Sequence, residues 1–157
     1  LVGAFLKMEQ FEVIPLKSSM GVVLGWTREE TLDAIGAPES TVGKIDYYHQ
    51  RLPNFHVHYN EQGLVEFIEV ANPMDGQIKV LLLEVDLFNT PADKVISEIE
   101  NLARLTFDQN DPELPYSYTF PGLELSFWRP TVPEDEKDED GRFFESVGIG
   151  IKGYYIE

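Results

Sequence analysis

Twice in this chain a proline and a small or polar residue open a strict alternation of apolar and polar side chains. Residues 53–59 read Pro-Asn-Phe-His-Val-His-Tyr, and residues 121–127 read Pro-Gly-Leu-Glu-Leu-Ser-Phe. Successive side chains of a strand point to opposite faces, so this pattern suits a sheet with one face packed and the other open. It puts Phe55, Val57 and Tyr59 inward, with Leu123, Leu125 and Phe127 doing the same later in the chain. The opposite parity carries His56, His58, Glu124, Ser126 and Trp128.

Each alternating segment lies downstream of a capped helix. Thr27 with Glu30 three residues on forms a capping box, and Gly36 followed by Pro38 supplies the stop. In the second half Thr90 is read as the cap, Pro91 as the first helical residue and Asp93 as an acid at the positive helix end. Val95, Ile96, Ile99 and Leu102 follow at helical spacing. Strands are expected at 45–49, 53–59 and 63–70, then at 116–120, 121–127 and 142–149. Phe11 to Pro15 reads as an extra edge strand, and Lys79 to Leu83 as a strand joining the halves. The expected fold is α+β: two tandem repeats of a short helix followed by three antiparallel strands, with the helices on one sheet face. The repeats span about 11–78 and 79–157 of a single domain.

The run from Gly25 through Thr27 and Glu30 to Ile35, Gly36 and Pro38 resembles the glycine-hydrophobic-threonine…leucine-glycine-x-proline signature of the outer-membrane lipoprotein family SmpA/OmlA. Two such units in tandem resemble the β-lactamase-inhibitor-protein architecture. The resemblance implies helices on one face of a sheet whose other face is free to bind a protein. The chain has no cysteine, so neither a lipid anchor nor the disulfides of a secreted inhibitor are carried over.

The 157 residues carry a formal net charge of −16, a field that repels nucleic acid phosphates and anionic lipid and favours encounter with a cationic partner. Apolar runs such as Leu1–Leu6 and Val80–Leu83 are too short to span a bilayer. Leu1–Leu6 lacks the basic flank and small-residue cleavage site of a signal peptide, and Met8 could serve as a start. With no cysteine, a reducing, cytoplasmic setting is the expectation; a cysteine-free chain is also compatible with a periplasmic or exported one.

Little in the sequence points to catalysis. The serines lack a nucleophile-elbow context, and Glu66 and Glu69 have opposite strand parity. Gly148, Gly150 and Gly153 do not open a helix and read as bulges or points of close packing. The acidic stretch Glu134–Asp140 lacks EF-hand spacing and is expected to be solvated. If a hairpin centres on Leu52, Tyr48 lies opposite His56 and Asp46 opposite His58. The leading expectation is a non-enzymatic protein-binding module of inhibitor or immunity type, without a cofactor. It would dock a basic partner on an open sheet face formed by Tyr48, His56, His58, Glu124 and Trp128. One alternative is a metal-dependent enzyme or small-ligand binder using His56, His58 and Asp46. Another is a cell-envelope assembly module.

Overall fold

The structure, a computed structural model, describes residues 9–155. The apolar Leu1–Leu6 run and Met8 lie outside the described residues. In chain order the elements are β1 (Glu9–Ile14), β2 (Ser18–Ser19), β3 (Val22–Val23), α1 (Arg28–Ile35), β4 (Ser40–Val42), β5 (Ile45–Tyr48) and β6 (Phe55–Tyr59). They continue with β7 (Val65–Ala71), β8 (Ile78–Leu82), β9 (Val85–Asp86), α2 (Ala92–Ala103), β10 (Ser117–Phe120), β11 (Leu125–Trp128) and β12 (Ser146–Gly150).

Among the described residues these form two helices and two sheets. The first sheet has five strands in the order β3-β2-β1-β8-β9, and the second has seven in the order β10-β11-β12-β7-β6-β5-β4. All pairings are antiparallel except that of β1 with β8. This corrects the expected fold: the molecule is mostly β and is not two tandem helix-plus-three-strand repeats. Two causes are physical. Six strands, not three, lie between α1 and α2, and four of them, β4 to β7, enter the seven-stranded sheet. The segment before α1 also makes three strands, which recruit β8 in parallel to build a second sheet. Two-residue strands such as β2, β3 and β9 are too short to show a period.

The helix signals resolve differently. At α1 the Thr27 hydroxyl accepts from the Glu30 amide at 3.1 Å, and the Glu30 carboxylate accepts from the Thr27 amide at 3.1 Å. Gly36, at φ 85°, closes the helix by donating to the Leu32 carbonyl at 2.8 Å. At α2 the cap is Pro91, not Thr90, with no side-chain cap bond. That helix buries Ala92, Val95, Ile96 and Ile99, while Leu102 is exposed.

The seven-stranded sheet owes its position to two rows of inward side chains that cross six strands. One row runs Tyr48, Phe55, Val70, Val147, Phe127, Tyr118; the other runs Asp46, Val57, Ile68, Ile149, Leu125, Phe120. Every member is buried. Their apolar members join Val13, Val22, Val80, Leu82 and the α2 residues in one cluster, so both sheets share a core. Each large apolar side chain buried there contributes roughly 1.5–3 kcal/mol. Two connections of the five-stranded sheet carry strain. Leu16 (φ 65°) follows Pro15, and Leu83 (φ 50°) with Glu84 (φ 68°) links β8 to β9. A left-handed residue bearing a Cβ costs roughly 1–2 kcal/mol.

Candidate functional site

The outward rows of the same sheet define the candidate face. Tyr47, His56, Glu69, Gly148, Ser126 and Thr119 form one row. Ile45, His58, Phe67 and Gly150 form a second. Ala71, Ser146, Trp128 and Ser117 form a third.

Three residues expected on this face are elsewhere: Tyr48, Asp46 and Glu124. The β5–β6 register pairs Tyr47 with His56 and Ile45 with His58, one residue away from a hairpin centred on Leu52. A slip of one residue moves every side chain to the opposite face. Tyr48 is therefore in the core, stacked on Phe55 at 4.7 Å, with its hydroxyl donating to the Gly36 carbonyl at 3.0 Å and burial pushing its pKa up to about 12. Asp46, 1% exposed, accepts both Arg28 Nε and Nη2, at 2.9 and 3.0 Å, and the Thr41 hydroxyl at 2.7 Å. It does not meet the histidines. The alternation Ile-Asp-Tyr-Tyr could be read either way, because tyrosine suits both faces and a buried aspartate is invisible until its arginine is known.

His56 and His58 are brought together and joined by a carboxylate the sequence reading missed. His56 Nε2 lies 2.8 Å from Glu69 Oε1, and His56 Nδ1 lies 2.7 Å from His58 Nε2. The Ser146 hydroxyl donates to the other Glu69 oxygen at 3.0 Å. Burial, then the neighbouring His56, lowers the His58 pKa to about 4, so this ring is neutral at pH 7. The bond to His56, against an opposing burial effect, holds the Glu69 carboxyl below its usual value. A carboxylate only accepts, so His56 Nε2 carries the hydrogen of the bond to Glu69, and His56 Nδ1 and His58 Nε2 share one hydrogen between them. Glu69 sits directly across from His56, a relation hidden by reading each strand alone. Among the described residues no group of three or more histidines and carboxylates has the arrangement of a metal site.

The middle of the face is covered by residues 151–155, which follow β12. Tyr154 stacks on Phe67 at 4.9 Å and 14°. The Tyr155 hydroxyl donates to the Ser126 hydroxyl at 2.8 Å, and burial raises its pKa to about 12. Gly150 lies beneath this strap: an added Cβ would come within 2.6 Å of Tyr154. Glu124 belongs to the strap's anchorage rather than to the open face. It is buried, at φ 51°, and its carboxylate accepts from the Tyr155 amide at 2.7 Å. Its strand begins only at Leu125, because residues 121–124 form a turn. Trp128 stands at the far side of the face, 45% exposed. In the acidic loop the Asp138 carboxylate accepts from the Glu134 and Asp140 amides, which lower its pKa. Among the described residues no helix is long and apolar enough to cross a membrane.

No family model and no curated protein matches the chain. A solved structure of a DUF4309 family protein, YjgB from Bacillus subtilis, is similar in fold, with a TM-score of 0.53 and 14% identity over 85% of this chain and 84% of that one. At that identity the likeness concerns the fold alone. These comparisons support neither the SmpA/OmlA resemblance nor the β-lactamase-inhibitor-protein architecture; the structural likeness is to the DUF4309 protein.

Proposed function

We propose that the protein is a non-enzymatic binding module that docks a basic protein partner on the outer face of its seven-stranded sheet. The observation that supports this reading is the strap: the chain's own Tyr154 and Tyr155 already lie on that face, stacked on Phe67 and bonded to Ser126. A face that accepts an aromatic segment of its own chain has the shape to accept one from another. Beside the strap the two oxygens of the Glu69 carboxylate are acceptors at neutral pH, close to His56 and the ring of Tyr47. Lysine and arginine, which only donate, complement them, and the net charge of −16 favours such a partner at a distance. The residues assigned to the contact are Tyr47, His56, His58, Glu69 and Trp128. An inhibitor or immunity role would be one use of such a face.

The test is capture of proteins from the source cells by wild type and by a Tyr47→Ala/Trp128→Ala double variant. A basic protein held by the wild type and lost by the variant is expected. Equal capture by both sinks the assignment of this face.

A further inference from the structure

The five-stranded sheet ends in two turns whose residues do not suit them. Leu82 pairs with Val85, so Leu83 and Glu84 form a two-residue hairpin turn with φ positive at both positions. Such a turn favours Asn-Gly. In the neighbouring turn the Lys17 amide donates to the Ile14 carbonyl at 3.0 Å, with Pro15 and left-handed Leu16 between them. Glycine is the residue that geometry favours after proline. Both leucines are exposed, Leu16 at 42% and Leu83 at 46%, so burial does not offset the strain. Because β1 and β8 run parallel, with Glu12 beside Leu81, both turns stand at the same end of the sheet.

Leu83 and Glu84 separate two clefts. One, of about 270 Å³, is lined by Val13, Ile14, Pro15 and Leu81. The other, of about 380 Å³, is lined by Val85 and by Leu102 of α2, 57% exposed. Among the described residues the charged ones lining them are Glu12, Glu84 and Glu98, the last 3.9 Å from Lys94, and neither lining includes a lysine or arginine. Strain retained at exposed apolar positions points to a use other than stability.

We propose that this end of the sheet is a second interaction surface, which takes an apolar side chain carried on a basic segment of a partner protein. Charge selects the occupant. A second copy of this chain would bring Glu12 and Glu84 against their own equivalents if the contact were two-fold. An anionic membrane surface would be repelled by the same carboxylates. A lysine- or arginine-flanked apolar residue meets both features. The surface is built on different strands from the outer face of the seven-stranded sheet and does not depend on that face being used.

The probe is a short lysine-glycine peptide with one central leucine, titrated into the full ¹⁵N-labelled chain. The same peptide with serine in place of leucine serves as control. The leucine peptide is expected to shift the amides of residues 14–17 and 81–85, and the serine peptide to leave them in place. Leu83→Asn, which suits the turn, is expected to raise Tm by a few degrees and to weaken peptide binding about tenfold. Shifts confined to Tyr47, His56 and Glu69, equal shifts from both peptides, or no shift at millimolar peptide would each overturn the proposal. So would a fall in Tm on Leu83→Asn, which would mean that Leu83 packs within its own chain. A concentration-dependent dimer abolished by Leu83→Asn would replace the partner with a second copy.

Discussion

His58 is the side chain whose environment departs furthest from its ordinary state, and its consequence is a pH dependence of stability. Its value in the folded chain, about 4, lies below the ordinary 6.5. Between these values the unfolded chain takes up a proton that the folded chain does not. Stability is therefore full above pH 6.5 and is lost as pH falls towards 4. Glu69, also lowered, acts in the same direction at the acid end, its contribution being present above the ordinary carboxyl value and lost below it. The His58 shift corresponds to at most about 3 kcal/mol. His58→Asn keeps a side chain able to hydrogen-bond His56 and removes the titration. Urea unfolding from pH 7 to pH 4 is expected to show a shallower acid decline in this variant, and an unchanged decline would mean that His58 is not the group responsible. At Asp46 the expectation is different. Asp46→Ala leaves Thr41 and Arg28 without their acceptor and should destabilise by about 2 kcal/mol, reduced from a fully buried pair because Arg28 is half exposed. Partner capture should be unaffected, since Asp46 faces the core.

At the scale of elements, the strap over the sheet offers the clearest test. Tyr155→Phe removes a hydroxyl bond to Ser126 and should cost about 1 kcal/mol. Gly150→Val should do more, because its side chain would enter the space of Tyr154 and lift the strap from the face. Hydrogen exchange at residues 151–155 should then quicken while the amides of β6 and β7 stay protected. Equal protection of the strap in the variant would show that the segment does not depend on that bare glycine. Legibility of the elements followed the strength of their local signals. The capping box of α1 and the inward Phe55, Val57 and Tyr59 were readable because each is a local pattern. The second sheet was not, because β1 meets β8 across most of the first half of the chain and their neighbours are two residues long. The β5–β6 register was lost for a smaller reason: adjacent tyrosines make the parity of that strand ambiguous, and with it went the placement of Tyr48 and Asp46. Glu124 failed as an outward strand residue because the alternation beginning at Pro121 runs through a turn before the strand starts.

At the scale of the molecule the governing quantity is the net charge of −16, which makes two opposite predictions about salt. Within the chain the excess carboxylates repel one another, and compaction brings them closer. Added salt shortens the reach of that repulsion from about 30 Å at 0.01 M to about 3 Å at 1 M. The buried Arg28–Asp46 pair, shielded from solvent on the aspartate side, is screened much less. Stability should therefore rise with sodium chloride, by about 1 kcal/mol or roughly 2–4 °C in Tm for a chain of this size. Association with a basic partner should respond in the other direction. Its encounter rate draws on the same field, so it should fall about tenfold or more from low to physiological salt, with a smaller change in dissociation. Calorimetry and stopped-flow binding over one salt series separate the two effects. A Tm that rises while the association rate stays constant would mean that the charge serves solubility alone, and that the partner is recognised by contact chemistry rather than attracted by the field.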